Sequence, residues 1–445
     1  MKNINQYTAI LAYPKHFLEE GQELSPEQIT SAIEDHTKFV SKFEMNEAYF
    51  NANNTFSTSQ KAGSDNPSNK IVAPYARTMV QTVVGYAFKP GLISYRSNVG
   101  QLNEKYKSIT VINRDNVKNA ELGEDQAKYG VGFQLLWTKK VADEATPTYS
   151  RVDPKEIIPI YNYDIEETMI AAIRYFQAGE TTIVEVYYPN IIKYYKRTDD
   201  GLTILKEDAI NFFKEVPLVL YKNNKQFLAD YEPVRSLIDL YDKMLSDSAN
   251  EMDRFAAAYL ILQNVILGEN TEANKRKLKA MKESRVFQIR EDGNISFLTK
   301  EIPTAFFEML KDTVREDIEY HSHIPDFRSK NFEAKSGEAM KYALIDFENL
   351  VSSKEYGFKE GLERRNDLIN NILNITEDTF DNDFTIVFKR NLPANTAAEA
   401  EVVSKLNGIL SKRTQLGLLT EIVDVEAELE QIKKEFSEEN SIFED

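Results

Sequence analysis

The chain has 445 residues, 42% of them hydrophobic, with 17 glycines, 14 prolines and no cysteine. That composition supplies a real core, sets aside collagen-like and disordered chains, and excludes disulfides, thiolate metal sites and cysteine nucleophiles. The net charge of −17 argues against a tight grip on nucleic acid, which needs Lys and Arg on phosphates, but not against a surface that lets a duplex slide past.

Residues 1–10 lack the apolar stretch of a signal peptide, and the most apolar run, Phe255–Leu262, is far shorter than the ~20 residues of a membrane span, so a soluble cytoplasmic product is expected. The first 60 residues read as helical. Ser25-Pro26-Glu27 is a helix start, with a capping hydroxyl and Pro at the first helical position, and Ile29, Ile33, Phe39, Val40 and Phe43 follow at helical spacing. A polar loop is predicted from Asn51 to Asn69. A helix from about Pro74 would place Tyr75, Met79, Thr82, Val83 and Tyr86 on one side, and another is predicted from Asn113 to Tyr129.

From Gly132 to Tyr221 the texture becomes β-rich. Strands are predicted at Phe133–Trp137, Ile157–Ile160, Ala171–Phe176, Thr182–Tyr188, Ile192–Lys196 and Leu218–Tyr221, forming an antiparallel domain with Trp137 buried in it. Pro233 then opens a long helix. Val234, Leu237, Ile238, Tyr241, Leu245, Met252, Phe255, Tyr259 and Leu262 recur at three- and four-residue steps over roughly 30 residues, about 45 Å of helix.

Residues 265–300 read as a compact insertion. A basic helix, Asn274–Ser284, precedes strands Val286–Arg290 and Ile295–Thr299, with Asp292-Gly293 as a hairpin turn between them. A second long helix runs from near Pro303 to about His323, and Asp326–Ser336 is irregular. A third helix, Gly337 to about Leu373, carries Met340, Leu344, Phe347, Val351, Phe358, Leu368 and Ile372 on a heptad-like seam interrupted by Lys354, Gly361 and Arg365; Gly357 and Gly361 predict a bend. A strand at Phe384–Lys389 and an acidic helical tail, Thr396–Phe436, complete the chain. Charge is uneven: residues 394–445 hold 5 basic and 12 acidic residues, and residues 269–300 hold 8 basic and 5 acidic.

Motifs for chemistry are sparse. His321-x-His323 lacks the further ligands of a metal site. Asp381-x-Asp383 could hold Mg²⁺ as in a metal-dependent phosphodiesterase, but it lies between a helix and a strand, where Asp and Asn ordinarily make turns. Lys335-Ser336-Gly337 lacks the P-loop pattern and reads as a helix start.

Four strings, in order, resemble portal proteins of long-tailed siphophages that infect Gram-positive hosts. They are Asn69-Lys70-Ile71-Val72 through Val84-Gly85-Tyr86; Leu237-Ile238-Asp239 through Ser246-Asp247-Ser248-Ala249-Asn250-Glu251 to Ala258-Tyr259-Leu260; Ser336-Gly337-Glu338-Ala339-Met340-Lys341 leading to Phe358-Lys359-Glu360-Gly361-Leu362; and Phe388-Lys389-Arg390-Asn391-Leu392-Pro393 followed by Leu410-Ser411-Lys412-Arg413-Thr414. The resemblance implies a mainly α, α+β, elongated subunit that assembles into a ring of about twelve around double-stranded DNA. It has no catalytic site or cofactor, and its partners are a terminase motor, head-completion or adaptor proteins, and the major capsid and scaffolding proteins. Its place is the capsid portal vertex of the virion, after assembly in the host cytoplasm.

On this resemblance residues 1–230 with 375–393 are the wing, 233–264 and 303–323 the stem helices, 265–302 the clip, 325–336 the tunnel loop, 337–374 a long bent helix toward the channel, and 394–445 the crown. Arg328, Lys330, Asn331 and Lys335 then fall in the tunnel loop, and Lys275, Arg276, Lys277, Lys279 and Lys282 on the basic face of the clip, beside DNA or acidic partner proteins. Tyr241, Phe255, Tyr259, Leu344, Phe347, Val351 and Phe358 are candidates for subunit packing, although a seam of this kind can equally be covered by the chain's own helices. Carboxylates along the channel would repel phosphates and keep moving DNA from sticking. The alternatives are a phage-derived interaction scaffold or adaptor without a DNA channel, and the phosphodiesterase based on Asp381 and Asp383.

Overall fold

The structure, a computed structural model, describes residues 13–54, 68–97, 100–141, 144–256, 259–265, 271–284, 289–298, 304–327, 342, 344–373, 384–391, 396–419, 422 and 425–442. The chain divides into two units, one of residues 1–51, 74–233 and 322–445, the other of residues 52–73 and 234–321.

The first unit opens with a two-residue strand, β1 (His16–Phe17), and helix α1 (Pro26–Phe50). The α1 start is a capping box: Ser25 Oγ accepts from Gln28 N–H while Gln28 Oε1 accepts from Ser25 N–H. Its buried stripe of Ile29, Ala32, Ile33, Phe39 and Phe43 lies on a six-stranded sheet built from β1, β5 (Ile157–Tyr161), β6 (Met169–Ala178), β7 (Thr181–Tyr187), β8 (Ile191–Thr198) and β9 (Gly201–Ile210), in that spatial order. The β1–β5 pair is parallel and the others antiparallel.

Helix α2 (Tyr75–Ala87), strand β2 (Ile93–Ser97) and helices α3 (Gly100–Asn113) and α4 (Asp115–Tyr129) follow α1 in the chain. The predicted face of α2 buries Met79, Val83 and Tyr86, with Ala76 and Val80 in addition, whereas Tyr75 and Thr82 are only half-buried. The helix expected at 113–129 begins at Asp115. Arg114 sits in the left-handed region (φ 52°) and separates it from α3, a helix the periodicity did not suggest.

A separate three-stranded sheet has the order β10 (Leu218–Lys222), β3 (Val131–Val141), β4 (Glu144–Val152). Trp137, expected to be buried, is 43% exposed: it lies in the outer half of β3, opposite Thr148 and beyond the stretch that meets β10. The third long helix, described over Ile345–Leu373, packs across β10, and β13 (Phe384–Phe388) pairs antiparallel with β2. Three helices follow: Thr396–Lys405, Lys412–Gly417 and Val425–Ile442.

In the second unit, helix α5 (Arg235–Ala256) stops well short of the predicted 264, and Tyr259–Val265 is strand β11. Tyr259-Leu260-Ile261-Leu262 is an apolar run that suits either structure, and pairing decides it. Its partner is β12 (Ile289–Leu298), one continuous strand where a hairpin was expected. Asp292-Gly293 falls where the register breaks between Gln263↔Asn294 and Val265↔Ile289, so these residues accommodate a bulge and turn no hairpin. Helix α6 (Thr271–Ser284) is the predicted basic helix, one turn longer, and α7 (Thr304–Ser322) matches its expected span. In chain order the remaining helices are α8 (Ile345–Leu373), α9 (Thr396–Lys405), α10 (Lys412–Gly417) and α11 (Val425–Ile442).

Candidate functional site

Helix α8 is held by its own unit. Phe347, Val351, Lys354, Phe358, Gly361, Arg365 and Leu368 recur at alternating four- and three-residue steps, and all are buried. The residues read as interruptions of the seam are thus members of it. Gly357 and Gly361 permit close approach: a β-carbon on Gly357 would stand 2.2 Å from the Lys222 carbonyl oxygen, and one on Gly361 would stand 2.5 Å from the Tyr221 ring. Their role is contact with β10, and α8 runs unbroken through both.

Both buried cations of the seam meet carboxylates. Lys354 Nζ lies 2.6 Å from Asp230 Oδ1 and also donates to Asn223 Oδ1, whose amide donates to Asp230 at 2.9 Å. Burial pulls the Lys354 ammonium below its usual range, and Asp230 opposes this in part. Arg365 Nη1 lies 2.8 Å from Asp115 Oδ1, and Nη2 donates to Tyr95 Oη at 2.6 Å. Asp115 also accepts from Tyr95, Tyr149 and Asn119 at 2.7–2.8 Å, and the guanidinium lies over the Tyr149 ring at 4.6 Å. Burial works against the Arg365 cation, but Asp115 together with Tyr95, Tyr149 and Tyr106 outweighs it and holds the charge. Asp115 opens α4, where the positive end of the helix dipole favours a carboxylate.

Near the start of α8, Arg390 bridges two of its carboxylates. Nε donates to Glu348 at 2.9 Å, Nη2 donates to Glu355 at 3.1 Å, and Tyr86 Oη donates to Glu348. The Phe347 ring lies tilted against Tyr86 at 4.8 Å and meets Phe327 edge-on at 6.1 Å. The neighbouring Lys389 donates to the Ile422 carbonyl. This cluster joins residues of the first and fourth strings quoted above to the helix that continues the third.

The second unit contains a different device. Three side chains one helical turn apart on α5 receive the backbone of an extended segment: Asp242 accepts from Ala73 N–H at 2.8 Å, Ser246 from Ile71 N–H at 2.8 Å, and Asn250 from Asn69 N–H at 2.6 Å. Asp242 also accepts from Asn54 Nδ2 at 3.2 Å. Burial pushes the Asp242 carboxyl up to about 6, against the pull of these donors. The first and second strings of the resemblance are therefore in direct contact.

On α6, Lys275, Arg276 and Lys279 are exposed, and Lys275 is 3.5 Å from Glu272; the Lys277 and Lys282 side chains lie outside the described residues. So do Arg328, Lys330, Asn331 and Lys335, together with Asp381 and Asp383. His321 in the last turn of α7 and His323 just after it are exposed, and among the described residues no group of three or more His, Cys, Asp or Glu could hold a metal ion. Leu344, Phe347, Val351 and Phe358, candidates for subunit packing, are 0–3% exposed within the single chain; Phe347 packs on Tyr86 of α2, and Phe358 on Tyr221 of β10 and Phe388 of the strand at 384–388. Tyr241 is half-buried, and the Phe255 and Tyr259 side chains lie outside the described residues. Sequence reasoning did not single out Asp115, Asp230, Asp242 or Arg390. Lone charges at seam positions 354 and 365 were the available signal, since a cation at such a position demands a buried partner.

These are positioning devices on long helices, the marks of a structural subunit. The profile of the family described as "Phage portal protein, SPP1 Gp6-like" matches residues 30–441. A portal protein of Clostridium phage phiCD119 is 25% identical over 381 residues, covering 81% of this chain and 83% of its own length. The portal protein of Bacillus phage SPP1 is 22% identical over 375 residues, covering 78% of this chain and 72% of its own. The chain belongs to the phage portal protein family, and its function follows: it serves as head-tail connector and gives double-stranded DNA its passage through the capsid vertex in packaging and ejection. Portal proteins are components of the virion and are generally non-enzymatic. Among the described residues no helix is long and apolar enough to cross a membrane.

Proposed function

We propose that about twelve copies of this chain close into a ring around the DNA, and that the ring docks a terminase motor during packaging and head-completion or adaptor proteins afterwards. In this reading it assembles in the host cytoplasm with the major capsid and scaffolding proteins. The match across residues 30–441 carries the reading, because it spans both units and no single module.

Residues 1–230 with 375–393 act as wing and 394–445 as crown. Helices α5 and α7 act as stem, and residues 265–302, with the exposed Lys275, Arg276 and Lys279, as clip. The order of elements supports this: two helices separated by a small αβ insertion, within a unit of their own. Residues 325–336 act as tunnel loop, with Arg328, Lys330, Asn331 and Lys335 touching phosphates without reading sequence. The chain contributes no catalysis, and the motor supplies the energy of packaging.

Negative-stain microscopy and native mass measurement of the purified protein test this. Rings of about a dozen subunits with an open centre are expected; a protein that stays monomeric across concentration and salt overturns the reading.

A further inference from the structure

Among the described residues, two exposed apolar patches lie at opposite edges of the six-stranded sheet, apart from Ile204 and Leu205 farther along β9. At the β9 edge, Ile210 is 69% and Phe212 60% exposed. Across the sheet, in the loop after β5, Tyr163 is 70% exposed and Ile165 fully exposed, with Phe17 of β1 stacked on Tyr163 at 5.3 Å. Two such patches on one sheet call for a common explanation.

Their level does so as well. The strand registers run Pro159↔Ala172↔Tyr187↔Ile192↔Ala209 across the sheet. Ala209 is therefore level with Pro159, Ile210 with Ile160, and Phe212 with the start of the loop that carries Tyr163 and Ile165. The patches stand at the same height on opposite sides. A copy rotated about an axis running along the strands brings one patch against the other, the requirement for a head-to-tail contact that closes into a ring. The flanking charges are opposite in sign and would pair across the contact: exposed Glu166 adjoins Ile165, and exposed Lys214 lies two residues beyond Phe212. Among the described residues the outer edge of β9 is also unpaired in the sheet order; the charged stretch Lys206–Asp208 guards its middle, and Ile210 lies beyond that stretch.

We infer that the occupant of each patch is a second copy of this chain: Ile210 and Phe212 of one subunit pack on Tyr163 and Ile165 of the next. The inference rests on the ring reading above and adds a specific subunit interface, between sheets, to it.

The chain has no cysteine, so introduced pairs report without background. Assembled protein carrying Ile165→Cys and Phe212→Cys together, treated with a mild oxidant, should give a ladder of covalent multimers on a denaturing gel. Each single variant should give no ladder, because a head-to-tail contact places unlike residues opposite each other. Both positions are exposed, so folding should be unaffected, which circular dichroism checks. Rings seen by microscopy with no ladder from this pair or from Tyr163→Cys with Ile210→Cys would overturn the interface and leave the ring reading standing. Absence of rings in the unmodified protein would sink both.

Discussion

Arg365 and Asp115 meet 2.8 Å apart with side chains 0% and 4% exposed, and this contact ties the middle of α8 to the first residue of α4. The pair is a point of registration: a charge enclosed among Tyr95, Tyr149 and Asn119 has no second position along the helix where it is satisfied. Replacing Arg365 by Met should destabilise the first unit by about 3–5 kcal/mol, because Asp115 is left buried and unpaired. Arg365→Lys should recover only part of this, since an ammonium cannot reproduce the planar fork. Urea unfolding midpoints measure both; a Met variant as stable as the parent would contradict the assignment.

Gly357 and Gly361 give a contrast with Gly85. In a helix interior Ala is favoured over Gly by roughly 1 kcal/mol. At Gly85 in α2 an added β-carbon meets nothing within 4 Å, so Gly85→Ala should stabilise by about that amount. At Gly357 the same atom would stand 2.2 Å from the Lys222 carbonyl, so Gly357→Ala should instead destabilise by about 1–3 kcal/mol, the range for overpacking. Thermal unfolding of the two variants should shift in opposite directions.

The Asp242 carboxyl supplies a pH signature. Its pKa in the folded chain, about 6, lies above the ordinary value of 3.8. The folded state therefore holds the proton more tightly. The stability this group contributes is complete below about pH 4 and is lost as pH rises through 6. Asp242→Asn, which keeps an acceptor for the Ala73 N–H, should lose this dependence. The stability difference between variant and parent should accordingly grow in the variant's favour from pH 4 to pH 7. A difference flat across that range would show that the carboxyl ionises normally.

Neutralising Arg328, Lys330 and Lys335 together should lower DNA packaging while leaving rings intact by microscopy. A loop that touches only phosphates contributes through charge. Normal packaging by the triple Ala variant would remove these residues from the DNA path.

Much of the fold was legible because its signals are local. The helix start at Ser25-Pro26-Glu27, the α7 span and the β-rich texture after Gly132 each follow from residues adjacent in sequence. What was missed depends on distant partners. Strand β4 contains Pro147, which weakens it as a strand candidate and is tolerated because β4 lies at a sheet edge; β9 is a charged edge strand. The run Tyr259–Leu262 continues the helical spacing of α5 and becomes strand only because β12 pairs with it. In the candidate site, Lys354 and Arg365 looked like faults in an apolar seam because Asp230 and Asp115 are far away in sequence. The same distance hid the clasp on α5, whose polar residues resemble an ordinary solvated face until the segment at 69–73 is laid along it.

That clasp has a mechanical corollary. Along an extended chain the N–H groups on one side recur every second residue, about 6.6 Å apart, and four residues of helix advance about 6 Å, so three rungs stay nearly in step. Sliding the strip by one residue would turn every donor away from Asp242, Ser246 and Asn250 at once, and the next fit lies a full two residues on. Such a fastening cannot creep under load: it holds its notch, or it lets go entirely.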